Sequence, residues 1–308
     1  MSVHARPRPQ ARDRQTARGG TFVNSQRTAI ITDSGTDTPA SYIERYDIRV
    51  IPLHINYSDG SSLKSGVDIT GDEVIDRFEQ EIPKTSLPSP EEILETLRQA
   101  AADGYEKALV ITISAGLSAT NQTARLMAAQ VEGIDARVID TKNIGIGAGL
   151  AVMRAAELLE QGMDVDEVEG KVLKDVEGSA VFFSTKNIDF LYKGGRISGR
   201  IYRIGKVLDI KPVITCTPDD GHYEMAKKCR GWKRALEAMV SLVAERAVSY
   251  GKVRVAICCT KACPLFEELE AKVREAVPNV TEFVRSGVSA DLLVHVGPEL
   301  VGMAVQPA

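Results

Sequence analysis

From residue 28 onward the apolar positions fall into short β-rich runs separated by stretches with helical spacing. TAIIT at 28–32 ends at Asp33-Ser34-Gly35, and TPASYIERY then reads as a helix. IRVIPLHINY at 48–57 predicts one strand closed by an Asp59-Gly60 turn. Thr70 with Glu73, and Ser89 with Pro90 and Glu92, mark helix starts. An N-cap hydroxyl and a carboxylate three residues on satisfy amides that a helix leaves unpaired. KALVITI at 107–113 leads through Ser114–Leu117 into a predicted helix SATNQTARLMAAQ, and ARVID at 136–140 leads into a helix ending at Gly162. Repeated strand, loop and helix units imply a parallel sheet with helices on its faces, and in such sheets ligands bind beyond the carboxyl ends of the strands.

After residue 163 the pattern changes. GMDVDEVEGKVLKDVEG contains an amphipathic helix, SAVFFST a strand, and KPVITCTPDDGHYEMAKK a hairpin turning at Asp219-Asp220-Gly221. Trp232, Leu236, Met239, Val240, Val243 and Ala247 recur at helical spacing and read as core. VRVAICCT, a helix at 264–276, VTEFVRS and LLVHVG complete the chain. The expectation is an α/β protein of two domains: a parallel-sheet domain at 28–162 and a mixed α/β domain at 163–308. A length of 308 residues is comfortable for two cores.

Composition narrows the function classes. With 44% hydrophobic and 26% charged residues the chain reads as soluble and globular, and no apolar run approaches the roughly 18 residues of a membrane span. The net charge of −4 is uneven, because residues 1–27 carry six arginines against one aspartate. The remainder is therefore acidic, which argues against a nucleic-acid-binding face. The tail 1–27 is rich in Arg and Pro, lacks the apolar stretch of a secretory signal, and has prolines that would break a transit-peptide helix, so it is expected to be disordered. Five cysteines, none in a C-x-x-C or His-Cys spacing, and four scattered histidines predict reduced thiols, no metal site and a cytoplasmic setting.

Polar residues that a core does not need stand at loops between the predicted elements: Thr85 in KTSLPSP, Ser118 in AGLSAT, Arg196 in KGGRIS and His295 in VHVGPE. Each has an ordinary explanation as a turn residue, helix cap, surface arginine or hydrogen-bonded core histidine. Together, two hydroxyls, a helix N-terminus, a guanidinium and an imidazole form a receptor for a carboxylate or a phosphate.

TDSGTDTP (32–39), IPLHI (51–55), VDIT (67–70), KTSLPSP (84–90), SAGLSAT (114–120), LYKGGRIS (191–198), LDIKPVI (208–214) and HVGPE (295–299) resemble, in order and spacing, the motifs of the DegV family, over essentially all of residues 28–308. The resemblance implies a two-domain α/β fold that buries a long-chain fatty acid between its domains. It also implies a role as the FakB-like subunit of a fatty acid kinase, a carrier rather than a catalyst. On that basis Thr85 and Ser118 hold the acyl carboxylate, Arg196 and His295 complete the polar end, and a separate kinase subunit phosphorylates the carboxylate to an acyl phosphate for phospholipid synthesis. The implied ligand is the fatty acid alone, with no cofactor.

Three positions depart from the family pattern: Leu87 for the Gln of T-S-Q-P, Ala119 for the Gly after the site serine, and Glu299 for the second Gly of H-x-G-P-G. Glu299 brings a negative charge toward an anion site unless it points away or pairs with Arg196. Two other readings stand beside the carrier. An esterase would use Ser118, Asp291 and His295 in α/β-hydrolase order, although Thr120 replaces the second glycine of G-x-S-x-G. A phosphate-ligand enzyme would use Gly194-Gly195-Arg196 near Asp33 and Ser34, without any nucleotide-binding glycine motif.

Overall fold

The computed structural model describes residues 15–16, 22–206 and 210–308. Most of the tail expected to be disordered lies outside them. Within the described part of the tail, Val23 is buried in the first core, and Asn24 exchanges hydrogen bonds with Thr28. Arg27 donates to the Gly104 carbonyl at 3.0 and 2.9 Å.

Four parallel strands form the first sheet, in the order Arg49–Ile51, Thr28–Asp33, Lys107–Thr112 and Asp135–Asp140. Their carboxyl ends are tied together by Asp33, whose carboxylate accepts from the Gly35 amide at 3.0 Å and the Ile113 amide at 2.9 Å. The apolar run 48–57 is two strands rather than one. It breaks at Pro52-Leu53, and His54–Asn56 leaves the parallel sheet to become the middle strand of a small antiparallel sheet between Ser62–Lys64 and Lys84–Ser86. Proline lacks the amide a ladder needs, so the run changes partners there. Both helix starts read from the sequence carry complete capping boxes, at Thr70/Glu73 and Ser89/Glu92.

The second sheet has six strands in the order Tyr223–Arg230, Ile210–Cys216, Ala180–Thr185, Leu300–Pro307, Val253–Cys259 and Val280–Ser286. Its directions are mixed: only Val253–Cys259 and Val280–Ser286 run parallel. The last strand of the chain lies inside this sheet, antiparallel to both neighbours, which makes residues 300–307 part of its core.

Helix Ile146–Glu160 is apolar nearly all round and is buried between the two sheets. Leu150 and Met153 pack into the cluster that joins the halves, whereas Val152, Ala155 and Leu159 pack toward the first sheet. Helix Ala290–Val296 is buried at every position. Ala290 and Val294 pack with Ile55, Ile69 and Val74 of the small sheet region, so this segment of the second half sits in the first. LLVHVG is therefore helix, and His295 lies in its last turn rather than in a strand-to-helix loop. Burial against a neighbouring layer overrides the β-branched local preference. Among the described residues no helix is long and apolar enough to cross a membrane.

Candidate functional site

Between the two sheets lies a cavity of about 330 Å³, lined by residues from both halves. That is a size typical of small-molecule sites, roughly 300 to 1,000 Å³. Its walls are largely aliphatic, with Leu53, Ile113, Ile146, Phe183, Leu292 and Leu300 among them, and Thr85, Ser118, Arg196 and His295 all line it.

Thr85 is the middle residue of strand Lys84–Ser86, paired with the fully buried Ile55. It is thus in an edge strand, not a loop. Its Oγ1 lies 2.7 Å from His295 Nε2. The other ring nitrogen, Nδ1, has no hydrogen-bond partner and is covered by Gly194, where an added Cβ would stand 2.3 Å away. Burial, with the nearby Arg196 charge, pushes the imidazole down to about 3, so the ring is neutral at physiological pH.

The Gly194-Gly195 pair has two separate reasons. Helix Asp189–Lys193 ends at Gly194 with an ordinary helical φ of −71°, and the need for glycine there is the close approach of His295. Gly195 has φ +73°, a left-handed conformation, with open space around it. That turn returns the chain so that the Arg196 amide donates to the Leu191 carbonyl at 3.0 Å. Arg196 is partly buried, and its Nη1 donates to the Gly194 carbonyl at 2.6 Å. Among the described residues it has no carboxylate partner. Burial lowers its pKa, but a guanidinium remains charged, so Arg196 brings a positive charge without a direct carboxylate partner to the cavity wall.

Ser118 stands two residues before helix Thr120–Ala128; the N-cap is Ala119, which makes no side-chain cap. Ser118 Oγ is 2.8 Å from Thr120 Oγ1 and accepts weakly from the Thr120 amide at 3.3 Å. Its loop is braced from the second half of the chain, because Ser114 Oγ donates to the Gly221 carbonyl at 2.9 Å at the turn of the predicted hairpin.

Of the three departures, Leu87 and Ala119 line the cavity. Glu299 points away: its Oε1 pairs with Lys186 Nζ at 2.8 Å on the surface, not with Arg196. No esterase relay forms among the described residues. His295 bonds to Thr85, and the Asp291 carboxylate accepts from Ser34 and Ser65 instead of from the imidazole. Asp33 is likewise committed to two backbone amides, which removes it as a phosphate-site acid.

Three further polar residues line or adjoin the cavity and were not singled out from the sequence for a carrier site: Asp37, Asp291 and Tyr223. Burial raises all three pKa values, Asp37 and Tyr223 strongly. Asp37 had one signal, an acidic side chain repeated four residues after Asp33. Tyr223 had none, since it reads as an ordinary strand residue.

The family model described as "Uncharacterised protein, DegV family" matches residues 27–308. A DegV domain-containing protein of Clostridium acetobutylicum is 30% identical over 280 residues, covering 91% of this chain and 99% of that one. A protein of Thermotoga maritima named fatty acid-binding protein is 31% identical over 289 residues, covering 91% and 98%. Among solved structures, a fatty-acid-binding DegV family protein from Thermus thermophilus superposes with a TM-score of 0.83 at 30% identity, over 92% of this chain and 100% of that one. These matches lead to one assignment: the chain belongs to the DegV family.

Proposed function

We propose that this protein binds a long-chain fatty acid in the inter-sheet cavity and presents its carboxylate to a partner fatty acid kinase, which phosphorylates it to an acyl phosphate. The observation that carries the reading is the pairing of a mostly aliphatic cavity with a guanidinium that has no carboxylate partner among the described residues, two hydroxyls and a neutral imidazole on its wall. Relatives named as fatty-acid-binding proteins support it. On this reading the chain is a cytoplasmic carrier without a cofactor, and the chemistry belongs to the kinase.

The polar groups divide the work. His295 donates from Nε2 to Thr85 Oγ1, which frees the threonine hydroxyl to donate to the carboxylate; Ser118 donates a second bond, and Arg196 supplies the countercharge. Each charged hydrogen bond is worth about 1.5 to 3 kcal/mol and mainly offsets dehydration of the anion. The tail supplies most of the affinity, at about 0.8 kcal/mol per buried CH₂ before ordering costs.

Native mass spectrometry of the purified protein, with extraction and identification of any released molecule, tests the reading. A stoichiometric long-chain fatty acid is expected, and Ser118→Ala is expected to bind it more weakly and to support less acyl phosphate formation with a kinase while remaining folded. A protein that takes up no added fatty acid, or a Ser118→Ala variant with parental binding and turnover, would overturn it.

A further inference from the structure

An ionised carboxylate only accepts hydrogen bonds, so a serine beside it serves as a ligand group only if its single proton is left for the ligand. Ser118 Oγ accepts from the Thr120 amide at 3.3 Å and lies 2.8 Å from Thr120 Oγ1. Two proton orders fit this hydroxyl pair. If Ser118 donated to Thr120, its proton would already be engaged, and the Thr120 proton would need another acceptor. Thr120 is 1% exposed, and among the described residues its hydroxyl has no partner other than Ser118. A buried donor without an acceptor is unfavourable, so that order is disfavoured. If Thr120 donates, both hydroxyls are satisfied, and the Ser118 proton is left for the cavity that Ser118 lines. The other hydroxyl of the site follows the same order: His295 donates to Thr85 Oγ1 at 2.7 Å, and the Thr85 proton remains for the ligand.

The backbone around Ser118 is fixed from several sides. The Ser118 amide donates to the Ser114 carbonyl at 3.2 Å. Ser114 Oγ accepts from the Gly116 amide at 3.0 Å and donates to the Gly221 carbonyl at 2.9 Å. An added Cβ on Gly116 would stand 2.4 Å from the Asp220 carbonyl oxygen, so the hairpin turn of the second half presses directly on this loop. Asp140 Oδ1 accepts from the Ala115 amide at 3.1 Å and the Lys142 amide at 2.9 Å, which joins the loop to its neighbour. With the loop held, the side chain of Ser118 is the remaining freedom, and Thr120 is the group that touches it.

We infer that Thr120 is a positioning residue of the carboxylate site: its hydroxyl donates to Ser118 Oγ and thereby commits the Ser118 proton to the acyl carboxylate. The inference rests on the fatty-acid reading above and goes beyond it in assigning a residue that is not part of the cavity wall. Donation into Ser118 also polarises the serine hydroxyl and strengthens the bond it gives to the anion.

Stearic acid binding to the delipidated full-length protein and its variants, with thermal unfolding of each, tests the assignment. Thr120→Val keeps the side-chain volume and deletes the hydroxyl, whereas Thr120→Ala only removes atoms. Each is expected to raise the dissociation constant about fivefold, the effect of one hydrogen bond. Thr120→Ser restores the hydroxyl and is expected to return affinity to within about twofold of wild type. The deciding measurement is the double variant. In a Ser118→Ala background, Thr120→Val is expected to change affinity by less than about twofold, because no serine proton remains to be directed. A merely structural role would lower affinity by the same factor with or without Ser118. That outcome, parental affinity in both Thr120→Val and Thr120→Ala, or failure of both to fold overturns the inference and leaves the fatty-acid reading standing. A wild-type protein that takes up no stearic acid removes both.

Discussion

His295 Nε2 and Thr85 Oγ1 lie 2.7 Å apart although 210 residues separate them in the chain. The contact joins the last turn of a buried helix from the second half to an edge strand of the small sheet in the first. Thr85→Val keeps the side-chain shape and removes the hydroxyl, leaving both imidazole nitrogens without partners. A loss of about 1 to 3 kcal/mol in unfolding free energy is expected from the unsatisfied group, together with weaker fatty acid binding. Denaturant titration and ligand binding measured on the same sample check both effects; an unchanged stability would mean the bond contributes nothing.

The two glycines before Arg196 separate into distinct phenotypes. Gly195→Ala places a methyl in open space at φ +73°, and its cost is backbone strain of about 1 to 2 kcal/mol with the site intact. Gly194→Ala suits the local helical φ but drives a methyl against His295 Nδ1 and the Phe190 carbonyl. Ligand binding should therefore be lost in Gly194→Ala and kept in Gly195→Ala. Equal binding by the two variants would refute the assignment of Gly194 to His295.

The buried titratable groups set opposite pH trends. Asp33, raised to about 7 by burial, favours the folded state while protonated. That contribution is complete below the ordinary carboxylate range and is lost as pH rises through about 7; Asp37 and Asp291 shift in the same direction. His295, held down to about 3, works the other way: its contribution is present above the ordinary histidine value of about 6.5 and is lost as pH falls toward 3. Above about pH 6.5 the imidazole no longer changes the slope, and stability should fall from there toward pH 8 as the carboxyls ionise. Denaturant midpoints across that window check the sign, and the His295 ring signals in NMR spectra should remain those of a neutral imidazole down to about pH 4.

Arg254 is a buried ionic link between the halves. Its Nη2 bonds both carboxylate oxygens of Glu157 at 2.8 Å, its Nε bonds Glu282 at 2.8 Å, and Tyr42 from the first half donates to the same Glu157 at 2.7 Å. Arg254→Ala strands a mostly buried glutamate. A loss of about 3 kcal/mol is expected, the lower end for a buried pair because Glu282 is partly exposed. Arg254→Ala should lower the urea midpoint sharply, whereas Arg45→Ala, which breaks the exposed pair with Glu160, should change it little.

Much of this molecule was legible in the sequence because its signals are local. Strand and helix alternation, the capping boxes at Thr70 and Ser89, and the hairpin at Asp219–Gly221 depend on residues within a few positions of one another. So do the polar residues Thr85, Ser118, Arg196 and His295, which stand out because a core has no need of them. What the chain order conceals is which layers meet. The break at Pro52-Leu53, the insertion of Leu300–Pro307 into the middle of the second sheet, and the helical state of LLVHVG follow from long-range pairing and burial. The same holds for Glu299, whose charge is answered by Lys186, and for Asp37 and Tyr223, which gain their meaning only by facing a shared cavity. Periodicity records whether a side chain is buried, but not against what; the partner is chosen by packing among segments hundreds of residues apart.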